Sequence, residues 1–464
     1  MVSSRPHPEA LAVTTTILCV GDLHLGRRPG RAPGSLAPED LGPAAAWRRC
    51  VETAIASKVD AVLLAGDVVE RIEDRFAAFE SLRSGVQQLT AAGIAVVGVT
   101  GNHDVEALPR LADLIGDFRL LGRDGVWEEV ELDTPDPVRI VGWSFPTRHV
   151  TESPLPDLPA RTGSGLRLGL LHCDLDAPHS SYAPVASGEL TGADADAWLL
   201  GHIHAPGDLS ATTPRGYLGS VVGLDPTETG RRGPWKLTID GGRLAFEHLP
   251  LAPLRWERVT VDANGGDLLA ALDRAATEVE ALLAKEKAAP LAVGVRVVVT
   301  GTPGDLDEYE RDLAGLRDEP FERACEGGFT LFVDKVIDAT RPELDLFGRS
   351  QRTDHPGLVA RRLVALEGGG DEARDVLRPA REALQDDVAR LAQRLGLTDL
   401  GVTDDQLGGA LERAGSDLMA RLIAQVDERP KAGAVAGAAN GAATKTGAAT
   451  RNGADANGEQ EDEA

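Results

Sequence analysis

Apolar residues in this chain come in short runs, and the runs stop at polar residues of a restricted kind. Thr16-Ile-Leu-Cys-Val20 stops at Gly21-Asp22-Leu23-His24, and Ala61-Val-Leu-Leu-Ala65 stops at Gly66-Asp67. Ile94 to Thr100 stops at Gly101-Asn102-His103-Asp104, Leu166 to Leu171 at His172, and Ala197 to Leu200 at Gly201-His202-Ile203-His204. Apolar runs this short, ended by glycine or a polar residue, predict buried strands. Between them Ala44 to Lys58 predicts a helix, and Phe76, Phe79, Leu82, Val86 and Leu89 recur at helical spacing before Gly93, where a C-cap belongs. Gly30 to Pro43 reads as a loop. Strand, polar turn, helix, strand is a βαβ series, and open α/β sheets gather their sites at such strand ends.

From Leu254 the pattern changes. Leu254 to Asp262, Leu291 to Gly301 and Phe329 to Thr340 predict strands, with helices over Leu268 to Lys287 and Leu306 to Leu316. Pro356 to Val426 is mostly helical in pattern. Leu377, Leu384, Val388, Leu391 and Leu395 form one apolar stripe; Leu407, Leu411, Leu418, Leu422 and Val426 form another. Thr403 and Gln406 are spaced as a capping box for the last helix. From Pro430 onward Ala, Gly, Asn and Thr give way to an acidic end, too poor in apolar surface to fold. The expected organisation is an α/β domain over 1–252, a small α+β domain over 253–342, a helical region over 343–429 and a disordered tail over 430–464.

Composition narrows the class. A chain of 464 residues with 42% hydrophobic and 26% charged content fits a globular protein of two or three domains. A formal charge of −25 argues against a general basic patch for nucleic acid, so phosphate would have to be held by local cations, bound metals included. Cys19, Cys50, Cys173 and Cys325 form no Cys-x-x-Cys pair and read as core thiols of a reducing, cytoplasmic compartment. Leu11 to Val20 is the one apolar run near the start; it is broken by threonines and predicts neither a signal peptide nor a membrane helix.

The strand-end residues collect into Asp22, His24, Asp67, Asn102, His172, His202 and His204. That is too many ligands for one first-row ion and suits two ions sharing a carboxylate. Mixed nitrogen and oxygen donors without thiolate favour Mn, Fe or Zn over Mg or Ca. Two ions roughly 3.5–4 Å apart hold a bridging hydroxide and polarise a phosphoryl oxygen, which implies phosphoester hydrolysis. His103 follows Asn102 as the non-ligand imidazole, placed to protonate the leaving oxygen or to stabilise its charge. His7, His248 and His355 read as solvated, while Arg148, His149 and His179 lie in irregular segments that can face substrate.

The five motifs, in this order, resemble those of the calcineurin-like metallophosphoesterases over Ile17 to about Pro250. The resemblance implies a four-layer α-β-β-α sandwich. It also implies one ion on Asp22, His24, Asp67 and His204, and a second on Asp67, Asn102, His172 and His202. Gly21-Asp-Leu-His-Leu-Gly26, Ser181-Tyr-Ala-Pro184 and Asp225-Pro-Thr-Glu-Thr-Gly230 are similar to SbcD-type nuclease subunits of bacterial DNA-repair complexes. That likeness implies DNA as substrate, two divalent ions (Mn above all), a capping domain and an SMC-like (SbcC-type) ATPase partner, and it admits a homodimer. In double-strand-break nucleases a His commonly stands where this chain has Glu70, which makes Glu70 an orienting partner for His103; Asp104 is a further supporting acid. Three functions stay open here: a two-metal DNA nuclease, a small-molecule or cyclic-nucleotide phosphodiesterase, and a non-catalytic scaffold.

Overall fold

The computed structural model describes residues 14–264, 267–286, 288–318, 320–340, 344–394 and 401–427. His7, Leu395 and the tail from 430 lie outside the described residues. In chain order the first part runs β1 (Thr15–Val20), α1 (Pro43–Ala56), β2 (Ala61–Ala65), α2 (Arg75–Ala91), β3 (Ala95–Val99), α3 (Leu108–Ile115) and β4 (Phe118–Leu120). It continues through β5 (Glu128–Leu132), β6 (Val138–Trp143), β7 (Leu166–His172), β8 (Asp174–Leu175), β9 (Pro184–Val185) and α4 (Ser187–Gly192). β10 (Ala197–Gly201), β11 (Arg215–Tyr217), β12 (Trp235–Asp240) and β13 (Arg243–His248) complete it.

Strands as continuously apolar as β2 need cover on both faces. Two sheets provide it, ordered β13-β12-β1-β2-β3-β4 and β11-β10-β7-β6-β5. Alternate residues of each strand point opposite ways. Ile17, Leu63 and Val97 of the first sheet therefore meet Ile140, Leu168 and Leu199 of the second, while Leu18, Val62 and Val96 pack on Trp47, Leu82 and Leu111 of α1 to α3. Beyond the second sheet Trp143, Trp198 and Leu200 bury against Leu190 of α4 and the loops beside it. The result is the four-layer α-β-β-α sandwich, with a thin last layer. β1, β2 and β3 are parallel, as are β6, β7, β10 and β11, so their carboxyl ends open on shared edges.

A third sheet follows. β14 (Leu254–Asp262), α5 (Leu268–Glu286), β15 (Ala292–Thr300), α6 (Leu306–Asp318), β16 (Glu322–Ala324) and β17 (Thr330–Asp338) give the order β14-β15-β17-β16. Val293, Val295 and Val297 pack on Leu272, Ala276 and Val279 of α5, a core of its own. Trp256 of β14 reaches back to the first part: its indole N–H donates to Gly223 O at 3.2 Å, and its carbonyl accepts from Gly230 N at 3.0 Å. The loop from Gly219 to Pro234 is thereby fastened.

The described residues from Leu344 onward form a separate compact unit. Its helices are α7 (Leu346–Ser350), α8 (His355–Gly368), α9 (Gly370–Arg394) and α10 (Asp404–Asp427). The capping box at Thr403 is reciprocal, with Thr403 N donating to Gln406 Oε1 at 3.0 Å and Gln406 N to Thr403 Oγ1 at 3.2 Å. Met419 buries against Ala360 and Leu363, while its neighbour Leu418 stays half exposed. No described helix is long and apolar enough to cross a membrane.

Candidate metal centre

The expected residues converge because of how their strands end. Asp22 and His24 leave β1, Asp67 leaves β2, Asn102 and His103 leave β3, His172 closes β7, and His202 and His204 follow β10. Asp22, His24, Asp67 and His202 all have positive φ, at 37°, 49°, 46° and 106°. Non-glycine residues rarely adopt this region, and four of them at one place is backbone strain concentrated at a site. Close approach also explains the glycines beside them. A Cβ on Gly101 would run into the Asp67 carboxylate, and one on Gly201 would strike the Ala65 carbonyl and the His172 ring.

Three donor groups result. Asp22, His24 and His204 form one corner, Asp67, His172 and His202 the other, and His24, Glu70 and His103 make a third group that shares His24 with the first. Asp67 Oδ2 lies between the two corners, 3.4 Å from His172 Nε2 and 3.8 Å from His24 Nε2. Asn102 Oδ1 joins the second corner at 3.1 Å from His172 Nε2. In the first corner the Nε2 atoms of His24 and His204 are 3.1 Å apart. Asp22, His24, Asp67, Asn102 and His172 are buried, whereas His103, His202 and His204 are partly open to solvent.

Two outer ring nitrogens are hydrogen-bonded: His204 Nδ1 donates to Glu228 Oε1 at 2.6 Å and His172 Nδ1 to the Ala65 carbonyl at 3.1 Å, while His24 Nδ1 lies at ion-pair distance, 2.7 Å, from Glu70 Oε2 without hydrogen-bond alignment. An imidazole held through Nδ1–H aims its Nε2 lone pair inward, the tautomer a metal ligand needs. Without an ion, the 3.1 Å between His24 Nε2 and His204 Nε2 is bridged by a proton, one ring donating to the other, and a divalent ion would take the place of that proton. Asp22 Oδ2 is buried with no hydrogen-bond partner among the described residues, a costly state for a carboxylate oxygen that a cation would relieve. The donors thus fit a pair of divalent ions.

Charge is distributed accordingly. Burial opposes ionisation of Asp67, yet the neighbouring His172 and His24 rings hold its carboxyl well below the usual range. Burial likewise disfavours a charged His172, but Asp67 beside it pushes the ring up to about 9. Glu70 and Glu228 are lowered, against burial, by His24 and His204.

The supporting residues differ in part from expectation. The Glu70 side chain turns to His24, and only its main-chain carbonyl serves His103, accepting from Nδ1 at 3.1 Å. Asp104 spends both oxygens on main chain, accepting from Gly101 N at 2.8 Å and Val68 N at 2.7 Å. It ties the loop after β2 to the loop after β3 and stands outside both donor corners. Burial, then Asp67, pushes its carboxyl up to about 7. His248 is not solvated: it is half-buried and packs edge-on to Trp235, ring centroids 4.8 Å apart. His355 is exposed. His149 is exposed beside Tyr182, which in turn lies against His202; His149, His179 and Tyr182 line a cavity of about 430 Å³. The four cysteines are free and buried. Sequence reasoning did not single out Glu228; its only signal was a place in the Asp225 to Gly230 segment.

Two carboxylate-and-imidazole corners sharing one aspartate, at the strand ends of a four-layer sandwich, define a dimetal phosphoesterase type of centre. Residues 15–206 match the family model described as calcineurin-like phosphoesterase, so the chain carries a calcineurin-like metallophosphoesterase domain. It is 26% identical over 288 residues to the uncharacterized metallophosphoesterase YhaO of Bacillus subtilis, covering 57% of this chain and 68% of that one. It is 30% identical over 276 residues to the DNA double-strand break repair protein Mre11 of Aeropyrum pernix, covering 56% and 66%. The match thus spans about two thirds of these relatives' own length. A dimetal phosphatase structure from Danio rerio aligns at 15% identity and a TM-score of 0.34, over 52% of this chain and 97% of that one.

Proposed function

We propose that this chain is a two-metal phosphodiesterase that cuts DNA as the nuclease subunit of a repair complex in the cytoplasm. The observation that carries the chemistry is the half-open His103 beside two complete donor corners. Its ring packs edge-on to His24 with centroids 5.2 Å apart, while its Nδ1–H is committed to the Glu70 carbonyl. A carbonyl only accepts, so Nδ1 keeps its proton and Nε2 is the atom that meets substrate. As an imidazolium, His103 donates that Nε2 proton to the leaving oxygen. Bound divalent ions, with manganese the first choice, would supply charge for the phosphoryl oxygens and an acidified water. Asp22, His24 and His204 would hold one ion, Asp67, Asn102, His172 and His202 the other, with Asp67 shared. The unused ligand set weighs against a scaffold, because unpaired buried carboxylates are costly.

DNA as substrate is supported by the 30% identity to Mre11. In this reading residues 253–342 cap the substrate, and residues 343–429 dock an SMC-like ATPase; half-exposed Leu384, Leu391 and Leu418 offer the apolar contact. The charge of −25 favours a second reading, a small-molecule or cyclic-nucleotide phosphodiesterase. Incubating the Mn²⁺-loaded chain with linear, circular and single-stranded DNA, beside a chromogenic phosphodiester and a cyclic nucleotide, separates the two. Cleavage of DNA is the expected result; turnover of the small esters with DNA left intact selects the second reading.

A further inference from the structure

The two donor corners are built from similar first ligands but are backed differently. In the Asp22–His24–His204 corner both imidazoles have a carboxylate behind them, Glu70 Oε2 at 2.7 Å from His24 Nδ1 and Glu228 Oε1 at 2.6 Å from His204 Nδ1. In the other corner His172 Nδ1 donates to the neutral Ala65 carbonyl at 3.1 Å with Asp22 Oδ1 no nearer than 4.0 Å, and His202 has Asp174 Oδ1 only at 3.5 Å from its Nε2. A carboxylate behind an imidazole fixes the ring and raises its basicity as a ligand, and loss of such a partner typically costs tenfold to a hundredfold in metal affinity.

Both glutamates are held by main chain. Glu70 follows a ladder in which His24 N donates to Asp67 O at 2.8 Å, Leu25 N to Val68 O at 2.8 Å, and Glu70 N to Leu25 O at 3.0 Å. Glu228 divides its oxygens: Oε1 takes His204, and Oε2 accepts from Leu224 N at 2.7 Å. Its loop is fixed in turn by Trp256 through Gly223 and Gly230. Asp67 and Asp22 each reach both corners, Asp67 Oδ2 at 3.8 Å from His24 Nε2 and Asp22 Oδ1 at 4.0 Å from His172 Nδ1; beyond these shared charges the first corner has Glu70 and Glu228, and the second has Asp174 alone.

We infer that Glu70 and Glu228 are positioning residues that make the Asp22–His24–His204 corner the tighter of the two, so that divalent ions load there first and at Asp67–His172–His202 second. The inference rests on the two-metal reading above but needs no substrate. The test is a titration of the metal-free full-length chain with Mn²⁺, followed by calorimetry and by the electron paramagnetic resonance signal of free Mn²⁺. Wild type should bind in two resolved steps. Glu70→Gln and Glu228→Gln each keep an oxygen for the Nδ1–H and remove only the charge. Each should weaken the tight step tenfold to a hundredfold and leave the weak step within about twofold. Asp174→Asn should shift the weak step alone. A single unresolved step in wild type, unchanged binding in both glutamine variants, or loss confined to the weak step would overturn the ordering. Failure of the functional reading looks different: a chain that loads two ions in this order yet cleaves no phosphodiester refutes the activity and leaves the ordering intact.

Discussion

Asp67 Oδ1 accepts the main-chain N–H of His103 at 2.9 Å, so the carboxylate shared between the donor corners also sets the position of the non-ligand imidazole. The other oxygen of Asp67 faces the His172 and His24 rings. Asp67→Asn keeps an oxygen for the amide and removes the anion. We expect this variant to bind fewer than two ions per chain and to lose hydrolysis more completely than any single histidine change. Metal content by mass spectrometry decides it, and two ions retained would refute the shared role.

His103 and His204 should separate cleanly. His103→Ala is expected to keep both ions while turnover falls roughly 10²–10⁴-fold, the usual contribution of a positioned proton donor. His204→Ala should lose metal, since His204 is gripped by Glu228 and aimed at His24 Nε2. Metal analysis beside single-turnover rates distinguishes the two outcomes.

Ion binding should release protons. His172 is pushed up to about 9 and His24 is raised, in both cases by nearby carboxylates against the opposing effect of burial. Below about 9 the metal-free His172 ring carries a proton with which an incoming ion must compete. Affinity should therefore fall as pH drops from 9 toward 6. Calorimetry at fixed pH in buffers of different ionisation enthalpy measures the protons released; a heat independent of buffer would contradict the coupling.

His248 gives a stability test away from the centre. Burial, then Arg231, pushes its ring down to about 4, against an unfolded value near 6.5. The unfolded chain thus takes the proton more readily than the fold does. His248 costs nothing above about pH 6.5, and stability is lost as pH falls from there toward 4. Between pH 7 and pH 5 its share should be roughly 1–2 kcal/mol. His248→Phe, which can keep the contact with Trp235, should show a shallower decline in urea-unfolding free energy over that interval.

Much of the centre was legible because strand-end chemistry is local. Ala61 to Ala65 followed by Gly66-Asp67 announces both a buried strand and the residue leaving it, and β2 has those bounds. Leu254 to Asp262 was legible for the same reason. Contacts that cross the chain were not. Nothing adjacent to Glu228 marks it as the partner of His204, because the loop carrying it is placed by Trp256 of another sheet. The Glu70 side chain sits three residues after Asp67 and could be assigned to either imidazole; the parallel bridge between Leu25 and Val69 turns it to His24. Periodicity also misplaced Phe76, which belongs to the apolar spacing of α2 yet is 75% exposed beneath the Arg75 guanidinium. The strands between Phe118 and Trp143 were not predicted, because β4 has three residues and β5 opens with two consecutive glutamates.

The most direct measurement is hydrolysis of a chromogenic phosphodiester by the full-length chain as Mn²⁺ is added stepwise to metal-free protein. Two donor corners sharing Asp67 predict no turnover without metal and a rate that saturates when two ions are bound per chain. Hydrolysis that persists in excess chelator, or a chain with two bound ions and no turnover of this ester or of DNA, would contradict the proposed chemistry.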